Sequence, residues 1–334
     1  MKRALVTGVT GFIGNHVACT LLDAGFAVRA FVRPQTGSGK RNPLPDGAEP
    51  CWGDLRDPAA VQRAVHGCDV VFHVAADYRL WVRDAEEMHR TNVEGTRCLL
   101  TEALRQGVER VVYTSTVATI GIPADGTPGT EESPVQAAQL AGAYKQSKYA
   151  AEQEVLRLAR AGLPVVIVNP SAPVGPRDVK PTPTGKIVLD FLRGRMPAYV
   201  DTGLNLIAVE DVARGHLLAY EKGRIGERYI LGNRNMTLRE ILMALATITG
   251  RRAPRWRLPY HLALGIAYVD EWLMGRVLGR TPDVPVAAVH MAARHMYFDA
   301  TKAVRELSLP QTPVEDALAR AVEWFYQHGY VAGL

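Results

Sequence analysis

The chain has 334 residues, 47% hydrophobic and 22% charged, a globular balance long enough for a large domain with a smaller appendage. Its net charge of +5 is scattered except for a basic cluster at 251–257, and no recognition helix, zinc finger or RNA-binding signature accompanies it, which sets nucleic acid aside as a partner. Cys19, Cys51, Cys68 and Cys98 lie far apart without paired spacing and the nine histidines form no ligand-spaced cluster, which argues against a disulfide framework and against any metal site.

In chain order, RALVTG (3–8) reads as a strand closed by Gly8, and FIGNHVACTLLDAG (12–25) as a helix with a glycine stop. AVRAFVR (27–33) is β-rich. AEPCWGD (48–54) is a third strand, followed by the short helix PAAVQRAVHG, and DVVFHVAA (69–76) is a fourth strand. One long helix is expected over roughly 84–107, a fifth strand at RVVYTST (110–116), a helix at 144–162 and a sixth strand at PVVIVNP (164–170). Continuous apolar strands separated by helices define an α/β fold, a doubly wound parallel (Rossmann) sheet covered on both faces. After 170 the pattern loosens into proline-rich loops and amphipathic helices such as LREILMALATITG (238–250). The N-terminus enters its strand directly, with neither a signal peptide nor a bilayer-spanning apolar run, so the expected location is the cytoplasm.

TGVTGFIG places Gly8, Gly11 and Gly14 between the first strand and the first helix. This spacing supplies a tight turn, close backbone approach and free N–H groups at a helix N-terminus, which is what a pyrophosphate requires. Gly8, Thr10, Gly11, Phe12, Ile13 and Gly14 are therefore the expected dinucleotide cradle. It makes 1–170 the dinucleotide-binding domain and 171–334 mainly a smaller substrate-binding lobe, partly interleaved with the sheet. An acidic residue ending the second strand would bond a ribose 2′-hydroxyl and repel a 2′-phosphate. This chain has Arg33 there and no Asp or Glu before Asp46, so NADP(H) is expected over NAD(H). Asp54 and Leu55, after the third strand, are expected against the adenine. Ala75 and Ala76 end the fourth strand, where a turn free of large side chains lets the cofactor lie close.

YKQSK sets Tyr144 and Lys148 at i and i+4 on one helix face. An ammonium beside a phenol favours tyrosinate, so Tyr144 is expected to have a pKa lowered towards neutrality and to act as general acid or base in a carbonyl–alcohol interchange. Lys148 is also placed to hold the nicotinamide ribose. YTST ends the fifth strand with Thr114, Ser115 and Thr116, and a hydroxyl there orients the substrate oxygen. A Tyr-x-x-x-Lys pair is common by chance; here it follows a dinucleotide loop and a hydroxyl-rich strand end in the required order.

TGVTGFIG, GDL, HVAA, TNVEGT, YTST, YKQSK and NPSAPVGP, in this order, resemble the extended branch of the short-chain dehydrogenase/reductase superfamily, the NAD-dependent epimerase/dehydratase family, over essentially the whole chain. The resemblance implies that Thr116 takes the hydroxyl role with Ser115 beside it and that Thr114 lines the cofactor. It also implies that Asn92 is mainly structural, that Pro170 and Ser171 meet the nicotinamide amide, and that the chain forms a homodimer through helices beside Tyr144. More narrowly, HVAADYRLW, NPSAPVGPRDVKPTPTG and LRGRMPAYVDTGLNLIAVEDVARGHLLA look like the group labelled hopanoid-associated sugar epimerases, which is similar to dihydroflavonol 4-reductases. That label implies a place in hopanoid biosynthesis.

Nucleotide-sugar epimerases and dehydratases of this branch carry Arg-Pro-x-Asn-x-Tyr-Gly-Pro after the sixth strand. Here Asn169, Ala172 and Val174 replace its arginine, asparagine and tyrosine. With Arg33, the loss of these handles favours an NADP(H)-dependent oxidoreductase: hydride from the nicotinamide, proton from Tyr144, oxygen held by Thr116. The alternatives are a sugar or nucleotide-sugar epimerase/dehydratase that returns the hydride to its own substrate, and a non-catalytic NADP-binding sensor, disfavoured because Tyr144 and Lys148 are both present.

The expected partner is a small hydroxylated molecule, lipid- or sugar-linked. Asp77, Tyr78, Arg79 and Trp81 leave the fourth strand towards the nicotinamide and are its candidate contacts, with aromatic surface for an apolar body and charge for a polar head. The plainer reading is a packed loop anchored by Trp81. Residues 255–279 read either as an interfacial helix in peripheral contact with a membrane or as a core-packed helix pair with snorkelling arginines. Asp270 and Glu271 interrupt the apolar face, so core packing is favoured. His73, His216 and His261 are expected to be structural.

Overall fold

The computed structural model describes residues 1–34 and 41–331. Strands β1 (Arg3–Thr7), β2 (Ala27–Val32), β3 (Glu49–Trp52), β4 (Val70–His73), β5 (Arg110–Thr114) and β6 (Val165–Pro170) form one parallel sheet in the order β3-β2-β1-β4-β5-β6. A seventh strand, Arg228–Leu231, joins it beside β6. The short run RYIL lies outside the six-strand periodicity, so the sequence reading missed it. The central strands are apolar throughout because both faces are covered: Leu5, Val71, Val111 and Val165 pack against one layer of helices, and Ala4, Val70, Val112 and Val166 against the other.

Helix α1 (Phe12–Asp23) and the helix Val209–Lys222 cover one face; α2 (Pro58–Val65), α4 (Gly95–Gln106) and α5 (Ala143–Arg160) cover the other. The chain runs outward through β2 and β3, then returns to β4 on the other side of β1. Loops therefore diverge between β1 and β4, opening the crevice where doubly wound sheets bind ligands. The register sets Thr7 opposite His73, and His73 opposite Tyr113, along the rim of this crevice. A second, smaller sheet holds Ala172–Val174, Gly203–Ala208, Arg234–Thr237 and His295–Met296, with its own apolar core under helices Pro183–Leu192, Leu238–Thr249 and Val314–Gln327.

Two expectations need correction. The helix over 84–107 is not continuous: α3 (Ala85–His89), capped by Asp84 on the amides of Glu86 and Glu87, passes through a π-helical turn at Arg90–Glu94 into α4. Such turns insert a residue and re-aim side chains, and this one carries Asn92. Residues 260–277 are not core-packed either: the helix Tyr260–Asp270 buries only Ala263 and Ala267.

The β1–α1 turn leaves no room for side chains. A Cβ at Gly14 would lie 2.2 Å from the Gly8 carbonyl oxygen, and Gly8 has φ +75 with Ala75 backbone beneath it. Gly14→Ala should therefore lower the free energy of urea unfolding by about 1–3 kcal/mol, as overpacking does, and abolish dinucleotide binding in a fluorescence titration. Wild-type stability and affinity in the variant would show that the turn yields freely.

Candidate active site

A chain of buried hydrogen bonds runs along the rim of the crevice. Thr7 Oγ1 accepts from the amides of Val74 and Ala75, each at 3.0 Å, and lies 2.8 Å from His73 Nδ1. Thr96 Oγ1 donates its proton to the Asn92 carbonyl at 2.7 Å, so in its 2.9 Å contact with His73 Nε2 the ring must donate. His73 is thus the neutral Nε2–H tautomer, and burial holds its pKa down to about 3. Asn92 Oδ1 accepts from the Asp77 amide (2.7 Å), and its Nδ2 donates to the Asp77 carbonyl (2.9 Å) and to Ser147 Oγ (3.0 Å). Ser147 Oγ donates to the Tyr144 carbonyl at 2.9 Å. The loop after β4 is thereby sewn to the first turn of α5.

Tyr144 is half-buried, with the Thr116 side chain close enough to act on its phenol. Lys148, one turn further, is 3% exposed; its Nζ donates to the Thr114 carbonyl (2.9 Å) and to Tyr113 Oη (3.2 Å). The expected lowering of the Tyr144 pKa is not found. Burial pushes the phenol above its ordinary value, opposed by the Thr116 hydrogen bond, and the ammonium is engaged instead by Thr114 and Tyr113. Burial lowers Lys148 itself to about 8, against the pull of the Glu152 carboxylate.

Glu152 continues the 144–148 stripe and is 1% exposed. Its Oε2 takes Thr119 Oγ1 at 2.8 Å and Asn169 Nδ2 at 3.0 Å, and Asn169 Nδ2 also reaches the Thr116 carbonyl at 3.1 Å. Asn169, where the sequence departs from the epimerase pattern, belongs here to the scaffold of the Thr116 turn. Thr114 gives its carbonyl to Lys148, while its hydroxyl lies 2.8 Å from His216 Nε2. Ser115 is buried, 3.4 Å from Thr119 Oγ1.

The N-terminus of α1 has no side-chain cap and no acidic residue in its first turn, so the first-turn amides around Phe12, Ile13 and Gly14 face the crevice unpaired. Segment 41–44 closes over the turn: the Asn42 amide donates to the Thr10 carbonyl (3.0 Å), and its Nδ2 to the carbonyls of Gly11 (3.2 Å) and Arg177 (2.9 Å). At the far end of the crevice, beyond Pro170, Ser171 Oγ is buried without a partner. Helix-terminal donors at one end and an orphaned hydroxyl at the other fit a nicotinamide dinucleotide. At the end of β2 Arg33 is exposed and its carbonyl accepts from Arg41 Nη1 at 3.0 Å. Arg56 grips Asp54 through Nε (2.9 Å) and Nη2 (2.8 Å); with Arg33 adding its charge, this holds the Asp54 carboxyl below its ordinary value. Leu55 packs against Gly95. The turn at Val74 and Ala75 lies under Gly8, with Ala76 next to it in sequence.

The four proposed substrate contacts divide. Asp77 and Arg79 pair with each other through Nε at 2.9 Å, so neither offers a free charge. Tyr78 Oη reaches the Lys180 carbonyl at 3.2 Å, bridging to the loop between the strand Ala172–Val174 and the helix Pro183–Leu192. Trp81 lies against the backbone of Gly275, where a Cβ would come within 3.0 Å of its ring. Asn42, Arg177 and the Thr7–His73–Thr96 hydrogen bonds were missed in the sequence because their partners lie far away in the chain, and Arg41 because nothing in the local pattern marks its bond to the Arg33 carbonyl. Glu152 had a signal in the i, i+4, i+8 stripe.

This fold and crevice define an NAD(P)-dependent enzyme. The chain belongs to the NAD dependent epimerase/dehydratase family, whose model matches residues 4–232. It is 52% identical over 332 residues (98% of this chain, 95% of the relative) to a protein of Synechocystis sp. provisionally named a dihydroflavonol 4-reductase. It is 37% identical to sterol demethylase protein B of Methylococcus capsulatus (98% and 99% covered). It is 33% identical to a 4-hydroxy-2-methyl-3-oxo-4-farnesyl-3,4-dihydroquinoline-1-oxide ketoreductase of Stigmatella aurantiaca (91% of each). The crystal structure of gox2253 superposes with TM-score 0.87 at 47% identity (99% and 100% covered). That of PA4631, a nucleoside-diphosphate-sugar epimerase from Pseudomonas aeruginosa, superposes with TM-score 0.80 at 27% identity (99% of each).

Burial of Lys148 has a consequence that pH exposes. Its proton is held less tightly in the folded chain, with a pKa of about 8, than at the ordinary 10.5. The buried ammonium therefore costs stability below pH 8, and the cost fades as pH rises towards 10.5. Urea unfolding should show wild type gaining on Lys148→Met across that window. A constant difference between the two would contradict the assignment.

Proposed function

We propose that the protein is an NADPH-dependent reductase of a ketone or aldehyde on a hydroxylated, lipid-like small molecule. The observation that carries this reading is the adenosine corner. Arg33 and Arg41 meet at the end of β2, and the nearby carboxylate, Asp54, is already taken by Arg56. That leaves cationic charge where a ribose 2′-phosphate would lie. The names of the Synechocystis and Stigmatella relatives support reduction, and the Methylococcus and Stigmatella names support an apolar substrate body.

When bound, the nicotinamide supplies the hydride. The Thr116 hydroxyl and the Tyr144 phenol converge and together hold the carbonyl oxygen. Burial keeps the phenol protonated, the form a reduction needs, until negative charge develops on that oxygen; Tyr144 then gives up its proton. Lys148, one turn below, would hold the ribose. Thr114, Tyr113 and Glu152 keep the lysine in place.

Titration with both cofactors should give NADPH at least about tenfold tighter binding than NADH, and Arg33→Asp should remove or invert that preference. Equal affinities in wild type would overturn the cofactor assignment. Over a panel of apolar ketones and aldehydes, NADPH should be consumed in proportion to product; isomerised product without net cofactor turnover would establish an epimerase instead. Tyr144→Phe should lower kcat by about 10²–10⁴-fold with NADPH affinity nearly unchanged.

A further inference from the structure

The helix Tyr260–Asp270 and its π-helical continuation Glu271–Val277 are built inside out. The inward face carries the small residues Ala263 and Ala267, set against Val289. The large apolar residues point outward at helical spacing: Leu262, Ile266, Val269, Leu273 and Val277 are 55%, 47%, 65%, 43% and 56% exposed. A surface helix of a globular domain normally does the reverse. Trp272, 59% exposed, lies beside the stripe, and Trp256, 79% exposed, precedes the helix. Arg255, Arg276 and Arg280 are exposed around it, with no ion pair among the described residues, while Arg257 pairs with Asp201.

The acidic residues expected to interrupt this face are turned away from it. Asp270 accepts from the Val284 amide at 2.8 Å and Glu271 from the Val286 amide at 2.9 Å, so both cap the segment that follows. Asp283 is the exposed acid nearest in sequence.

We propose that this face docks on a lipid bilayer bearing anionic headgroups. A continuous apolar stripe exposed to water, flanked by tryptophans and ringed by arginines, has the composition of an interfacial helix. Each arginine near an anionic surface adds attraction. A second copy of the chain fits less well, because a two-fold interface would set the same arginines against one another. No helix among the described residues is long and apolar enough to cross a membrane, so the contact is peripheral.

The docked face is joined to the crevice. Trp81 packs on Gly275, and the Arg83 guanidinium donates to the Gly279 carbonyl, one helical turn on. The same loop begins at Asp77, which Asn92 ties to the first turn of α5. A lipid-like substrate leaving the bilayer would therefore meet Trp81 and Tyr78 on its way to Tyr144. That route rests on the reductase reading; the docking itself does not.

Co-sedimentation tests the docking without substrate or turnover. The full chain should bind vesicles of mixed phosphatidylglycerol and phosphatidylcholine at least about tenfold more tightly than phosphatidylcholine alone, and less in high salt. Brominated lipid should quench its tryptophan fluorescence. The double substitution Val269→Glu with Leu273→Glu should abolish binding while leaving NADPH affinity intact, which also reports a folded protein. Failure of wild type to bind either vesicle overturns the proposal, as does unchanged binding by the variant. Light scattering covers the other occupant: a wild-type dimer that the substitution converts to monomer, without vesicle binding, assigns the face to a second copy. Loss of reductase activity with vesicle binding intact would overturn the functional reading alone.

Discussion

The hydrogen bond between Thr7 and His73 is the constraint on which the site depends. It locks β1 to β4 where the sheet parts, and it fixes the tautomer that lets His73 donate to Thr96. Through Thr96, Asn92 and Ser147 the same chain ends on the carbonyl of Tyr144. Each bond adds only about 0.5–1.5 kcal/mol net, but a buried group left unpaired costs about 1–3 kcal/mol. The chain therefore specifies one arrangement more than it stabilises the fold. The π-helical turn at Arg90–Glu94 serves it, by aiming Asn92 at two elements together.

Charge is placed by burial as much as by pairing. Lys148 sits under the crevice with its proton loosened by desolvation and steadied by Glu152, one turn along α5. Glu152 in turn collects Thr119, Asn169 and Arg228, and so supports the turn that carries Thr116. Lys148 and the Thr116 turn are thus both supported by one buried carboxylate. Removing that carboxylate would disturb both the lysine and the Thr116 turn, which makes Glu152 a positioning residue.

The chain after residue 170 reaches the rim of the crevice through loops. Tyr78 bridges to Lys180, Trp81 to Gly275 and Arg83 to Gly279. The Asp77–Arg79 pair neutralises itself.

By itself the sequence determined whatever rests on local pattern. Apolar runs of strand length, glycines at a strand–helix turn and an i, i+4 Tyr–Lys pair are local features, so the α/β fold and the positions of β1 to β6 were legible from them. Only the tertiary structure decided what depends on distant partners. Lys148 faces Thr114 and Tyr113 rather than the Tyr144 phenol, and burial sets the direction of both pKa shifts. Asn169 supports Thr116 across 53 residues of chain. Asp270 and Glu271 read as polar breaks in a core helix until the fold turned them onto Val284 and Val286. Hydropathy spacing reports that a helix has an apolar face. Which way that face points is settled by what packs on the other side, and here the small Ala263 and Ala267 turned inward.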